Sequence, residues 1–315
     1  MPGQIREWAV QNLRTRRFAL ASLCAGAVVV AATVAAQTPC PLRGSCALEP
    51  GLVGRTDLLL FEDWELTNWQ SHFTGLGFAG NTSAITAQAF AGLKSGEVRV
   101  PNGAHDGATL DFDFSSAGVA DPEDIYFRYY IRFNDTWQRN GDGEIGKLPG
   151  FGGVYNMNGF GCNPVNGNDG WSARMMNWDR GSTNQLGFYV YHADMTDTCG
   201  EHNPWPPQLE RNRWYCIETH VRLNTISGGT GNRDGVLEGW IDGVQAFNRR
   251  NFRFRDVSSL KIEKVWGNIY VGGSWTADRS MAIHFDNFVI ARNRIGCASA
   301  SVPAPRAPTN LVIRR

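Results

Sequence analysis

The chain is 315 residues long and carries 30 Lys plus Arg against 30 Asp plus Glu, a formal net charge of zero. With no general positive field to hold a polyanion, nucleic-acid binding is not expected, and an acidic ligand would have to be met by a local cluster of cations. Eleven Trp, 17 Phe, 8 Tyr and 36 Gly, with few stretches able to form a long amphipathic helix, point to an all-β chain of short strands and many turns.

At the N-terminus, Arg14, Arg16 and Arg17 precede an uncharged run at 18–36 (FALASLCAGAVVVAATVAA) that ends in small residues. This is the layout of a secretory signal peptide over 1–36, cut near Ala36. The alternative is a retained membrane anchor, since about 18 apolar residues begin to span a bilayer, but an Ala-rich run is only weakly hydrophobic. Arg16-Arg17 suggests twin-arginine export, and Cys24 lacks the small preceding residue that lipid attachment needs. The expected location is secreted or periplasmic, with no membrane contact after signal removal.

Of seven cysteines, Cys24 leaves with the signal and six remain: Cys40, Cys46, Cys162, Cys199, Cys216 and Cys297. An even number in an exported chain suggests disulfides, with many connectivities open. Local spacing favours Cys40 with Cys46; Cys162 with Cys199 and Cys216 with Cys297 follow only by elimination. No CxxC pair or His/Cys spacing suggests zinc.

Residues 37–52 (QTPCPLRGSCALEPGL) read as a Pro-, Gly- and Cys-rich linker, and 298–315 as a Pro- and Ala-rich tail unable to bury a core. Between them, 53–297 has no composition break and no fixed-period repeat, and reads as one domain. Alternating stretches bounded by Gly, Asn and Asp predict strands at 125–133, 170–177, 186–192, 214–223, 235–241 and 282–291. Asp242-Gly243 supplies a tight hairpin turn. Many antiparallel strands with regular turn signals indicate a two-sheet sandwich. WIDGV at 240–244, followed by IHFDNFVIA at 283–291, resembles the hairpin and final strand of concanavalin A-like jelly rolls. That resemblance implies a two-sheet antiparallel β-jelly roll with a concave glycan-binding groove.

Three segments carry the chemistry: GKLPG with Lys147 on a Gly-flanked turn, WSAR with Ser172 and Arg174, and YVY with Tyr189 and Tyr191. Side chains alternate along a strand, so Ser172 and Arg174 share a face, as do Tyr189 and Tyr191. Removing the C5 proton of a uronate requires the adjacent carboxylate to be neutralised while negative charge grows, a task for Arg and Lys. A Tyr hydroxyl loses its proton near pH 10, and nearby cations would favour the phenolate as a base.

KLPG, WSAR and YVY, in this order and spacing, resemble polysaccharide lyase family 14, which includes alginate and glucuronate-polymer lyases. Similarity extends through YYIRF (129–133), VRLNT (221–225) and WIDG, over residues 125–290. The resemblance implies an acidic, uronate-containing polysaccharide as substrate, β-elimination as the reaction, no required cofactor, and Lys147, Ser172, Arg174, Tyr189 and Tyr191 as the active site. In this reading Lys147 and Arg174 neutralise the carboxylate, Tyr191 takes the C5 proton and can return one to the leaving oxygen, and Tyr189 and Ser172 orient the sugar or share the proton traffic; the sequence does not decide which Tyr is the base.

Trp171 and His192 are candidate substrate-binding residues, although Trp171 equally suits anchoring its strand and His192 alternates to the face opposite Tyr191. Trp178, Trp205 and Trp275 are further candidates for stacking on sugars. His220 suits a structural strand position. Glu62, Asp63 and Glu65, with Asp286, offer hard oxygen ligands for a structural calcium, against the plainer reading of surface carboxylates. A monomer is expected.

Each site residue has a bland reading too: Tyr at alternate positions as sheet packing, Arg174 as a solvated charge, Lys147 as a turn residue. Two rival functions remain. A glycoside hydrolase needs two carboxylates, roughly 5 to 5.5 Å apart when retaining, yet Glu144 beside the lysine has no evident partner. A non-catalytic lectin would not require both cations and paired phenols on one face.

Overall fold

The computed structural model describes residues 49–298 apart from 142, 156, 157 and 274. The signal peptide expected over 1–36, residues 37–48 of the linker, the tail beyond Ala298 and the Cys40–Cys46 pair lie outside the described residues. Eighteen strands are described: β1 Leu58–Glu62, β2 Gly75–Gly77, β3 Thr82–Ile85, β4 Ser95–Val100, β5 Asp106–Asp113, β6 Asp124–Phe133, β7 Gly143–Gly153, β8 Trp171–Asp179 and β9 Thr183–Tyr191 in the first part. There follow β10 Glu201–Glu210, β11 Trp214–Arg222, β12 Ile226–Ser227, β13 Thr230–Gly231, β14 Gly235–Ile241, β15 Val244–Phe252, β16 Lys264–Trp266, β17 Asn268–Val271 and β18 Met281–Ala291.

Two eight-stranded antiparallel sheets result. One runs β15-β14-β11-β6-β18-β4-β3 with β1 also on β18, and the other runs β10-β9-β8-β7-β16-β5-β17 with β2 on β5. This is the expected two-sheet antiparallel jelly roll. Its core follows from strand alternation. In β6, Ile125, Phe127, Tyr129, Ile131 and Phe133 point inward; from the opposite sheet come Trp171, Ala173 and Met175 of β8 and Leu186, Phe188 and Val190 of β9. Fully burying each large apolar side chain contributes about 1.5–3 kcal/mol. The same alternation sends Ser172, Arg174, Tyr189 and Tyr191 to the outer face of the second sheet.

The Asp242-Gly243 turn forms as expected: φ is +50° and +81° at its two residues, and Ile241 pairs with Val244, the left-handed geometry of a two-residue hairpin. Both disulfides reached by elimination are present, Cys162–Cys199 and Cys216–Cys297.

Two segments depart from the sequence reading. Lys147 lies inside strand β7, not on a turn. The glycines are there because neighbouring strands press against them: a Cβ on Gly146 would strike the Tyr270 carbonyl oxygen, and one on Gly150 the Ala173 carbonyl. Register shifts between Glu144 and Gly146 and between Leu148 and Phe151 carry Pro149 through the ladder. The second is Glu201–Glu210, a strand in spite of Pro204, Pro206 and Pro207, which is possible because β10 is the edge of its sheet.

The carboxylates considered for calcium are engaged otherwise. Glu62 meets His72 and the Trp64 amide, Asp63 accepts the Glu65 amide at 3.2 Å, and Glu65 accepts the amides of Leu93 and Lys94 at 2.6 and 2.7 Å. Asp286 accepts the amides of Phe90, Ala91 and Asn287 at 2.8, 3.2 and 2.9 Å, and burial raises its carboxyl well above the ordinary range. Among the described residues no group of three His, Cys, Asp or Glu side chains is placed to hold a metal ion. Nor is any helix among them long and apolar enough to cross a membrane.

Gly146→Ala should destabilise the fold by about 1–3 kcal/mol through overpacking between β7 and β17. Gly80→Ala, at a site with open space around it, should leave the denaturation midpoint within about 0.5 kcal/mol of the parent.

Candidate active site

Strand register assembles the site. Ser172 stands opposite Tyr191 and Arg174 opposite Tyr189 across β8 and β9, while Lys147 of β7 stands opposite Met176 of β8 on one side and Tyr270 of β17 on the other. The five residues expected from the sequence therefore share the outer face of three adjacent strands. All are buried there, because Val165 and Met195, from the segments after β7 and β9, pack with Met176, Trp178, Tyr189 and Tyr191 over the sheet.

Arg174 is 3% exposed and lies against aromatic rings, with its guanidinium carbon 4.4 Å from the centre of Trp266 and 5.7 Å from that of Tyr270. Its Nη1 donates to Asn268 Oδ1 and Tyr270 Oη, both at 3.4 Å, the long end of hydrogen bonding, and its Nε has no partner. No carboxylate of the described residues forms an ion pair with it. The other buried arginines among the described residues are paired, Arg128 with Glu49 and Arg255 with Glu123.

The Lys147 ammonium sits 3.9 Å over the centre of the Tyr189 ring, 3.3 Å from Met176 Sδ and 3.2 Å from Glu144 Oε1. Burial pulls its pKa down to about 8, with the Arg174 charge acting in the same direction and Glu144 opposing. Glu144 also faces His202, whose Nε2 lies 3.3 Å from its other oxygen. Burial works to raise this carboxyl, but His202 and Lys147 outweigh it and hold it below the usual carboxylate range.

The phenols are fixed through their oxygens. Tyr191 Oη accepts the Cys162 amide at 2.9 Å, Tyr189 Oη accepts the Gly200 amide at 2.9 Å, and the two oxygens are 3.5 Å apart. Neighbouring cations do not lower the Tyr189 phenol. Burial and the neighbouring Tyr191 push it up, and Lys147 stands over the ring face instead of beside the oxygen.

A model of polysaccharide lyase 14 matches residues 94–288. The chain belongs to this family. Among solved structures it is similar to alginate lyase Aly36B, with 19% identity, a TM-score of 0.59, and coverage of 76% of this chain and 98% of that one. A variant of Aly36B in complex with alginate tetrasaccharide matches at 18% identity and a TM-score of 0.56, over 75% and 94% of the two chains. Alginate lyase vAL-1 from Chlorella virus matches at 16% identity and a TM-score of 0.57, over 75% and 100%. No curated protein sequence matches.

In this family 14 protein two sequence assignments, Trp171 and His192 as substrate-binding residues, need correction. Trp171 is fully buried in the inter-sheet core, packed against Phe254 with its Nε1 donating to the Lys261 carbonyl, the position of a strand anchor for β8. His192 stands apart from the phenols: its Nε2 lies 2.8 Å from Glu201 and its ring packs edge-on against Phe252. Ser172 shares the face, where its hydroxyl donates to the Gly159 carbonyl at 2.6 Å and holds the covering segment. Trp205 is likewise a core residue, and Trp178 reaches the outer face. His220 is structural as expected, bonded to Glu238 and Asp124 at 2.8 Å each.

Sequence reading missed His202, Trp266, Asn268 and Tyr270. His202 is half exposed and in register with Tyr189, yet its proline-rich strand carries no alternation signal; Trp266, Asn268 and Tyr270 reach Arg174 only through non-local pairing.

Glu144→Gln should carry the Lys147 pKa below its value of about 8, readable as a shifted NMR titration of the lysine side chain. The depressed value also means that the unfolded chain binds the extra proton between about pH 8 and 10.5, so the cost this buried lysine imposes on folding is relieved as pH rises through that window. Lys147→Met should flatten that part of the stability profile in denaturant titrations.

Proposed function

We propose that this protein is an exported enzyme that cleaves a uronate-containing polysaccharide of the alginate or glucuronan type by β-elimination. The observation carrying the proposal is Arg174, a buried guanidinium between aromatic rings with no carboxylate of its own among the described residues. Leaving such a charge unpaired is costly, and a substrate carboxylate offsets the cost by supplying the counter-charge and a bidentate acceptor. Family membership supports the reaction class, the alginate bound to a structurally similar lyase supports the substrate class, and two disulfides support export.

With the uronate carboxylate at Arg174 and Lys147, electron density that builds up beside it on loss of the C5 proton is stabilised. Tyr191 takes that proton. The electron pair forms the C4–C5 double bond as the C4–O bond breaks, and the leaving oxygen gains a proton. Tyr189, kept protonated by burial, donates within hydrogen-bond reach of Tyr191 and fits that final transfer. A glycoside hydrolase is disfavoured, because Glu144 is tied to Lys147 and His202 and held ionised, leaving it unsuited to act as a general acid.

The test follows the ultraviolet absorbance of unsaturated uronate ends on mannuronate-rich alginate, guluronate-rich alginate and glucuronan. Wild-type protein should raise it on at least one polymer. Arg174→Ala should lower kcat about 100- to 1,000-fold, and Tyr191→Phe about 100- to 10,000-fold. Binding without any rise in absorbance would replace the lyase with a lectin. Because the ammonium form of Lys147 is the useful one, kcat/KM should fall as pH rises through about 8, and Glu144→Gln should move that fall to lower pH.

A further inference from the structure

The two phenol oxygens are held by backbone amides of two different segments, and those segments are joined to each other. Cys162, before β8, donates its amide to Tyr191; Gly200, immediately after Cys199 and before β10, donates its amide to Tyr189. The Cys162–Cys199 disulfide ties the donors together across 37 residues of sequence, with Cα atoms 4.0 Å apart. Ser172, on the same face, pins the first segment through the Gly159 carbonyl. Gly200 is a close fit: a Cβ there would lie 2.8 Å from ring carbons of both Tyr189 and Tyr191.

We propose that the Cys162–Cys199 disulfide and Gly200 form a strap that positions the tyrosine pair for proton transfer, resting on the lyase reading above for the use of that pair. A hydroxyl that rotates with its side chain becomes a defined acceptor when an amide is fixed against it. Here one covalent bond fixes both amides, so the separation and orientation of the two phenols are set together. The disulfide lies outside the inter-sheet core, so its effect on the phenols is separable from its effect on the fold. Cys162, Cys199 and Gly200 are positioning residues: Cys162 and Gly200 touch the tyrosines, Cys199 is bonded to the one and precedes the other in sequence, and all three act through the phenols.

The experiment compares the full chain with the double variant Cys162→Ser/Cys199→Ser, with Gly200→Ala, which keeps the disulfide and both amides, and with Cys216→Ser/Cys297→Ser. The last removes the disulfide of the other sheet, which bridges 81 residues, and controls for lost stability. All are assayed below the melting temperature of the least stable. Both strap variants should lose about 100-fold in kcat with little change in KM, and the ring NMR signals of Tyr189 and Tyr191 should shift, while the control keeps the kcat and tyrosine signals of the parent. Parent kcat and unshifted tyrosine signals in the strap variants would overturn the proposal, as would an equal loss in the control. If the tyrosine signals shift but the parent chain cleaves no polyuronate, the positioning stands and the lyase reading fails.

Discussion

A guanidinium withdrawn from water without a carboxylate beside it is the constraint around which the rest of the site is arranged. Arg174 is as buried as Arg255, yet Arg255 pairs with Glu123 while Arg174 has ring faces and two long contacts to neutral oxygens. Ring quadrupoles and amide oxygens temper the charge without cancelling it. Such an arrangement persists only if the scaffold over-determines it. The core behind β8, with Trp171, Ala173 and Met175 locked among the opposite sheet's Phe and Ile side chains, supplies that rigidity.

The charges across the face are graded. Arg174 lies at one side with no counter-ion among the described residues, Lys147 in the middle is shared with Glu144, and Glu144 passes the interaction on to half-exposed His202. The phenols stand between the cations and the covering segments, each oxygen engaged by one amide. An anionic sugar would meet most of its electrostatic stabilisation at the Arg174 side, with the proton-transfer groups one strand away, about 4.8 Å. Lys147 is a weaker cation than its charge implies because the burial that brings it to the site also lowers its pKa.

The fold was largely legible from the chain. In β6, β11, β14 and β18 alternation is regular, and the predicted limits fall within a residue or so of the observed strands. Where neighbouring backbones govern, legibility failed. The glycines of β7 read as a turn, but they are strand residues whose missing side chains admit β17 and β8 at close range. The prolines of β10 concealed a strand, and with it His202. The site was legible in its facing residues and less so in their partners: the bond from Ser172 to Gly159 depends on a non-local segment, and Trp171, one position away, is core.

By itself, the sequence determined what depends on period and local chemistry: an all-β sandwich, a two-residue hairpin at Asp242-Gly243, and a shared face for Ser172 with Arg174 and for Tyr189 with Tyr191. These follow because a strand alternates its side chains regardless of what it pairs with. Only the tertiary structure decided which strands became neighbours, and therefore that Arg174 meets Trp266, Asn268 and Tyr270 but pairs with no acid of the described residues, and that Lys147 lies over a phenol ring instead of against its oxygen. It also decided that one disulfide joins the amides holding both tyrosines. Burial, charge pairing and the protonation that follows from them are properties of non-local contacts, and strand periodicity carries no information about those.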